Sequence, residues 1–313
     1  MAKSRELAAM RRAIAISAQG LGSSSPNPPV GCVILDNEGH AVGEGYHPCK
    51  GEPHAEVHAL AAAGKQAAGG TAVVTLEPCN HYGRTPPCRE ALIDANVSRV
   101  LIAVMDPTSR GDGGAALLRK AGIEVEQDFL RDEALLVLGP WLTSLRSGRP
   151  FLTWIYEAGS NGPAALSVDD AIAHELIALR ESHDIVIRQG GEIEEGRTGS
   201  HGADVFQLPH SVPGGSAAEV GFTLSRTGAR SVLIEGTPEV ASAIAAAGMM
   251  DRVITYLPHT PQSWIPGVPH DALSLTSDGY RLAGVTRLGG YVRIECIRNT
   301  ALTSSDSELR LEY

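Results

Sequence analysis

Short apolar runs alternate with amphipathic stretches through the first half of the chain. Apolar residues recur at helical spacing over residues 5–19, with Gly20 and Gly22 just beyond, so the pattern predicts an opening helix. Residues 30–35 form an apolar run, and the turn residues Asn37, Glu38 and Gly39 lead to a second strand over 41–45. An Ala-rich helix is expected over 54–68, a buried strand over 72–76 and a helix from Pro86 to about residue 96. A strand at 99–104, a helix at 114–120, a strand at 123–126 and a helix at 132–145 complete the alternation. That order implies helices over both faces of a mostly parallel sheet.

Residues 146–150 read as a boundary, dividing the chain into domains of residues 1–146 and 147–313. Beyond it, strands are expected at 151–156, 184–188, 231–235 and 252–257, with helices at 168–181 and 238–247. Two further strands flank Gly289 and Gly290. Residues 189–221 are rich in Gly, Ser, His and Pro and read as loop.

Composition narrows the function classes. Hydrophobic content of 43% with 20% charged residues describes a soluble globular protein. Neither a membrane-spanning run nor an apolar leader stands out, which makes the cytoplasm the expected compartment. The net charge of −10 argues against nucleic acid as a partner. Five cysteines at irregular spacing do not suggest a disulfide framework. Cys32 and Cys296 read as buried small side chains, and Cys49 as incidental.

The chemistry concentrates in His54-Ala55-Glu56 and in Pro78-Cys79 followed by Cys88. One imidazole and two thiols hold a zinc ion with a fourth position open to water, the mark of a catalytic rather than a structural site. Each ligand is expected at the start of a helix, where the positive end favours a thiolate. Glu56 stands where a carboxylate can move protons, as in zinc deaminases of nucleobases. A closed structural knuckle would need His81 or Cys49 as a fourth ligand, and Glu56 would then have no task.

These residues carry a resemblance. The stretches Ser25 to Val33, Gly43 to His47, Gly51 to Leu60 and Thr75 to Cys88 closely resemble the bifunctional riboflavin-pathway deaminase–reductase family, over about residues 5–145. The resemblance implies a cytidine-deaminase-like α/β/α sandwich followed by a shortened dihydrofolate-reductase-like α/β domain. It implies deamination of a diaminopyrimidinone that carries a ribosylamino 5′-phosphate. His54, Cys79 and Cys88 match the zinc ligands and Glu56 the proton shuttle. Asn27, His47 and His81 match substrate contacts, and Arg84 a phosphate contact suited to a guanidinium.

The second half matches only in pieces. Ser231 to Pro238 resembles the family's V-E-G-G-P segment, with Thr237 replacing a glycine. The family's Lys, Ser and Asp near the start of this domain are here Ile155, Gly159 and Asn161. The expectation is a reductase-like fold that has lost hydride transfer, no cofactor-binding residues, and a role in a homo-oligomer (a dimer or tetramer). Four alternatives remain open: a working NADPH-dependent reductase, a paralogous deaminase of another purine- or pyrimidine-like metabolite, a zinc-stabilised scaffold, and a tRNA- or single-strand-editing deaminase. The acidic balance counts against the last.

Overall fold

The computed structural model describes residues 2–82, 86–159, 162–167, 170–199, 205–211, 216–237, 239–258 and 279–299. The chain divides into two compact units, with the division between Gly139 and Pro140. It falls inside a helix, a little ahead of the 146–150 segment.

The first unit holds helix α1 (Ala2–Ser17), strands β1 (Gly31–Leu35) and β2 (Ala41–Tyr46), helix α2 (Ala55–Ala63) and strand β3 (Thr71–Leu76). Helix α3 (Cys88–Asp94), strand β4 (Arg99–Val104), helix α4 (Gly113–Lys120), strand β5 (Glu124–Glu126) and helix α5 (Arg131–Ser147) follow. The five-stranded sheet runs β2-β1-β3-β4-β5.

The sheet is mixed, not mostly parallel: β1 pairs antiparallel with β2 and with β3, while β3–β4 and β4–β5 are parallel. The short connection between β1 and β2 forces the antiparallel hairpin. Its turn is tied by Asp36 Oδ1, which accepts from the backbone N–H of Glu38 and His40, and Gly39 supplies a φ of +82°.

Glycines set the helix-to-sheet spacing. A Cβ on Gly31 would lie 2.1 Å from Ala13 O of α1, and one on Gly43 would lie 2.2 Å from Ala59 O of α2. Gly43 pairs with Ile34, three residues along from Gly31, so the strand alternation puts α1 and α2 on opposite faces. The predicted helix over 54–68 ends early, at Ala63, and gives way to a 3₁₀ turn over Gly64–Ala67, with Gly64 at φ +54°.

The second unit contains β6 (Phe151–Gly159), β7 (Gly162–Ala164), α6 (Asp170–Glu181), β8 (Ile185–Ile187) and β9 (Ile193–Glu195). It continues with α7 (Ala217–Arg226), β10 (Ser231–Glu235), α8 (Glu239–Ala246), β11 (Arg252–Pro258), β12 (Tyr280–Leu288) and β13 (Tyr291–Arg298). Its sheet runs β12-β13-β11-β6-β10-β8-β9, with β7 paired to β6. The central strands β11, β6, β10 and β8 are parallel and the outer pairings antiparallel. Ile185, Ile187, Leu152, Val232 and Ile234 pack on one side with Val220 and Leu224 of α7.

The stretch 189–221 is not all loop. It contains β9 and the start of α7. Ser216 caps that helix: its Oγ accepts from Glu219 N at 3.3 Å, while the Glu219 carboxylate accepts from Ser216 N at 2.8 Å. The polar composition concealed this capping box.

Candidate active site

The sequence-predicted ligands gather at the carboxyl ends of the parallel strands β3 and β4, where open α/β sheets place their sites. His54 caps the N-terminus of α2 and Cys88 is the first residue of α3, both as expected. Cys79 is not at a helix start. It lies three residues beyond the end of β3, in irregular backbone after Pro78. The nitrogen and two sulfurs nevertheless converge, with all ligand atoms within 4.8 Å of one another.

Nδ1 is the nitrogen of His54 that faces the sulfurs, 3.2 Å from Cys88 Sγ and 3.6 Å from Cys79 Sγ. Bond lengths of about 2.3 Å to sulfur and 2.05 Å to nitrogen at a tetrahedral angle give a separation of about 3.6 Å. Cys79 Sγ also accepts the backbone N–H of Cys88 at 3.3 Å. Among the described residues neither Cys49 nor His81 joins the cluster, so no fourth side chain closes it.

The protonation pattern asks for a cation. A hydrogen bond with the Cys88 thiol holds Cys79 well below the usual thiol range, while the same bond and burial push Cys88 up. Without metal the two sulfurs thus share one negative charge. The bond to Cys79 raises the His54 imidazole. Glu56, 3% exposed, is buried beside them. Burial raises its carboxyl first, the Cys79 charge adds to this, and His54 partly offsets it. The donor set and the buried carboxylate fit zinc.

Asn27 and His47 stand next to the ligands. His47 Nδ1–H donates to Pro53 O at 3.1 Å, which leaves Nε2 to accept from Asn27 Nδ2 at 3.1 Å. Burial lowers the imidazole, keeping it neutral. Its ring meets the His54 ring edge-on, with centroids 5.2 Å apart. His81 is exposed in the loop after Cys79. Arg84 lies outside the described residues.

Sequence reasoning gave neither Asp106 nor Glu77 a role in the site. Burial raises the Asp106 carboxyl, whose surroundings include His81 and Cys79. Glu77 is buried behind Cys79. Position past the end of a parallel strand is the signal that would have found both.

Comparison with known proteins agrees with this geometry. Residues 3–104 match the cytidine and deoxycytidylate deaminase zinc-binding region. The riboflavin biosynthesis protein RibD of Corynebacterium ammoniagenes is 35% identical over 283 residues, covering 79% of this chain and 84% of that protein. The chain belongs to the RibD family. Escherichia coli K12 RibD is 46% identical over 159 residues, which is 50% of this chain and 43% of the relative. The chain thus spans less than half the length of that longer RibD. A Thermotoga maritima diaminohydroxyphosphoribosylaminopyrimidine deaminase/5-amino-6-(5-phosphoribosylamino)uracil reductase has a TM-score of 0.77 at 25% identity, covering 94% of this chain and 99% of that one. The first unit therefore has the deaminase-like fold of RibD proteins and the second their reductase-like fold. Among the described residues no helix is long and apolar enough to cross a membrane.

Proposed function

We propose that the first unit deaminates a diaminopyrimidinone bearing a ribosylamino 5′-phosphate, replacing its amine with a carbonyl oxygen and releasing ammonia. The observation that carries this is Glu56, a buried carboxylate beside a three-ligand cluster that no fourth side chain joins among the described residues. A structural knuckle has no use for it.

Zinc, when bound by His54, Cys79 and Cys88, supplies a Lewis acid that makes water nucleophilic near neutral pH. Glu56 takes one proton of the attacking water and passes it to the ring nitrogen; it then takes the proton of the new hydroxyl group as the carbonyl forms and delivers it to the amine, which departs as ammonia. Asn27 spends its amide N–H on His47, which leaves its oxygen to accept from a substrate N–H. Both nitrogens of His47 are engaged, so we take it to orient Asn27 and brace His54. His81 is taken to contact the substrate, and Arg84 its phosphate.

The same family implies NADPH in the second unit, and the residues there do not fit it. The backbone N–H of Thr237, just before α8, donates to Gln189 Oε1 at 2.7 Å, and Gln189 Nε2 donates to Thr237 Oγ1 at 3.1 Å. This side chain lies where a Cβ on Gly236 would be, 1.7 Å from the Gln189 oxygen. The neighbouring Glu235 is taken up by Arg180 at 2.8 Å and Arg188 at 3.0 Å. Ile155, at the family's lysine position, is fully buried among Ile172, Leu176, Val186 and Leu233. Asn161 lies outside the described residues. The second unit, taken as residues 147–313, is accordingly proposed to serve structure and self-association. Its edge strand β12 carries exposed Leu282 and Val285, which supports a homo-oligomer. The cytoplasm is the proposed compartment.

Incubating the pure protein with the diaminopyrimidinone nucleotide, with and without NADPH, and weighing the products tests both halves. The expected product is the deaminated nucleotide in either case. Absence of ammonia rejects the deaminase assignment, and a gain of two hydrogens with NADPH rejects the loss of reduction.

A further inference from the structure

We propose that Glu77 is a positioning residue for the metal ligand Cys79, acting through the N-terminus of α4. This rests on assigning His54, Cys79 and Cys88 to zinc. A wild-type protein that binds no zinc defeats that assignment before the role of Glu77 is reached.

Glu77 is 5% exposed, yet its carboxylate is satisfied by backbone groups. Oε1 accepts from Ala115 N in the first turn of α4 at 2.9 Å, and Oε2 accepts from Asp106 N at 3.3 Å. Its own N–H donates to Val104 O at 2.8 Å, extending the β3–β4 pairing by one residue. One side chain therefore joins the end of β3, the loop after β4 and the start of α4. A carboxylate at a helix N-terminus is also favoured by the helix dipole.

The contact surface on α4 is made of glycine for this purpose. Gly113 has φ +80°, and a Cβ there would lie 2.7 Å from Glu77 Oε1. A Cβ on Gly114 would lie 1.9 Å from the carbonyl oxygen of Pro78. The segment Glu77-Pro78 thus rests directly on the helix backbone. Only Pro78, with its fixed φ, separates Glu77 from Cys79. The N–H of Cys88 at the start of α3 meets the Cys79 sulfur, but the backbone of Cys79 runs on directly from the Pro78 segment that Glu77 and α4 hold.

The test measures zinc affinity by competition with a chromogenic chelator, with apo and zinc-loaded melting temperatures recorded alongside. Glu77→Ala is expected to weaken zinc binding about 10- to 100-fold, the usual loss when the support of a ligand is removed. Glu77→Gln keeps an oxygen for Ala115 N and is expected to fall between wild type and Glu77→Ala. Gly114→Ala leaves every polar group in place but pushes Pro78, and is expected to weaken zinc binding at least about 10-fold. A zinc dissociation constant within twofold of wild type in Glu77→Ala and Gly114→Ala overturns the proposal, even if both melt earlier. Should Glu77→Ala not fold, unchanged affinity in Gly114→Ala and Glu77→Gln overturns it.

Discussion

His183 makes the stability of the second unit depend on pH, and the size of the effect follows from its surroundings. The ring is 4% exposed. Its Nδ1–H donates to Leu179 O at 2.6 Å, so Nε2 must accept from Thr153 Oγ1 at 3.0 Å. The neutral imidazole is fully satisfied, and a second proton would place a positive charge in a buried site near Arg252. Burial first, and the charge of Arg252 second, bring its pKa down from 6.5 to about 3. The folded state therefore binds fewer protons than the unfolded state. The stabilisation is present above pH 6.5 and is lost as pH falls from there toward 3. Taking those two values, acidification from about pH 7.5 to about pH 4.5 costs roughly 3 kcal/mol at this site. Urea unfolding followed by tryptophan fluorescence, at several pH values across that range, measures it. His183→Gln keeps a donor and an acceptor but cannot titrate, so its stability is expected to fall by roughly 3 kcal/mol less than wild type over the same interval. Parallel curves for the two proteins would refute the assignment.

Glu56→Gln is expected to retain zinc, measured by metal analysis, while ammonia release falls about 10²- to 10⁴-fold. Normal turnover in that variant removes the proton-shuttle role. Arg84→Ala should raise KM for the phosphorylated substrate far more than for its dephosphorylated analogue, and equal effects would reject the phosphate contact. Asp251→Ala should cost about 3–5 kcal/mol in urea unfolding. The buried Asp251 carboxylate accepts from Arg149 Nη1 at 2.6 Å, Arg149 Nη2 at 2.9 Å and Leu152 N at 2.9 Å. A cost below about 1 kcal/mol would place that ion pair with ordinary surface pairs.

The zinc ligands were legible because their chemistry leaves few substitutes. A His followed two residues later by Glu, and two cysteines flanked by prolines, already imply a metal with an open position. The apolar runs of β1, β3, β4, β6 and β10 were equally plain, since buried strands in α/β units are nearly continuous in Val, Ile and Leu. Pairing direction was not. It depends on which segments meet, and the run in β1 reads the same whether its neighbours are parallel or antiparallel. Helix α7 was missed because its signal is a capping box inside a polar stretch.

What the ligand motif does not announce is how its three members are held. His54 and Cys88 inherit their positions from helix starts, a local device that can be read from neighbouring residues. Cys79 is met by the Cys88 N–H at the start of α3, and the support proposed for it from Glu77 reaches α4, 38 residues further along the chain. That support is a long-range contact in which the carboxylate accepts from Ala115 N beside Gly113, while Gly114 lies against the Pro78 carbonyl. No spacing rule links those residues, although each is ordinary in its own segment. The second unit shows the converse. Gln189 meets Thr237 across 48 residues and occupies its backbone N–H just before α8. Replacing one glycine with Thr237 already weakened the cofactor expectation, because close backbone approach to a phosphate favours glycine. The side chain seated on that N–H weakens it much more, because an anion must first displace a hydrogen bond already made.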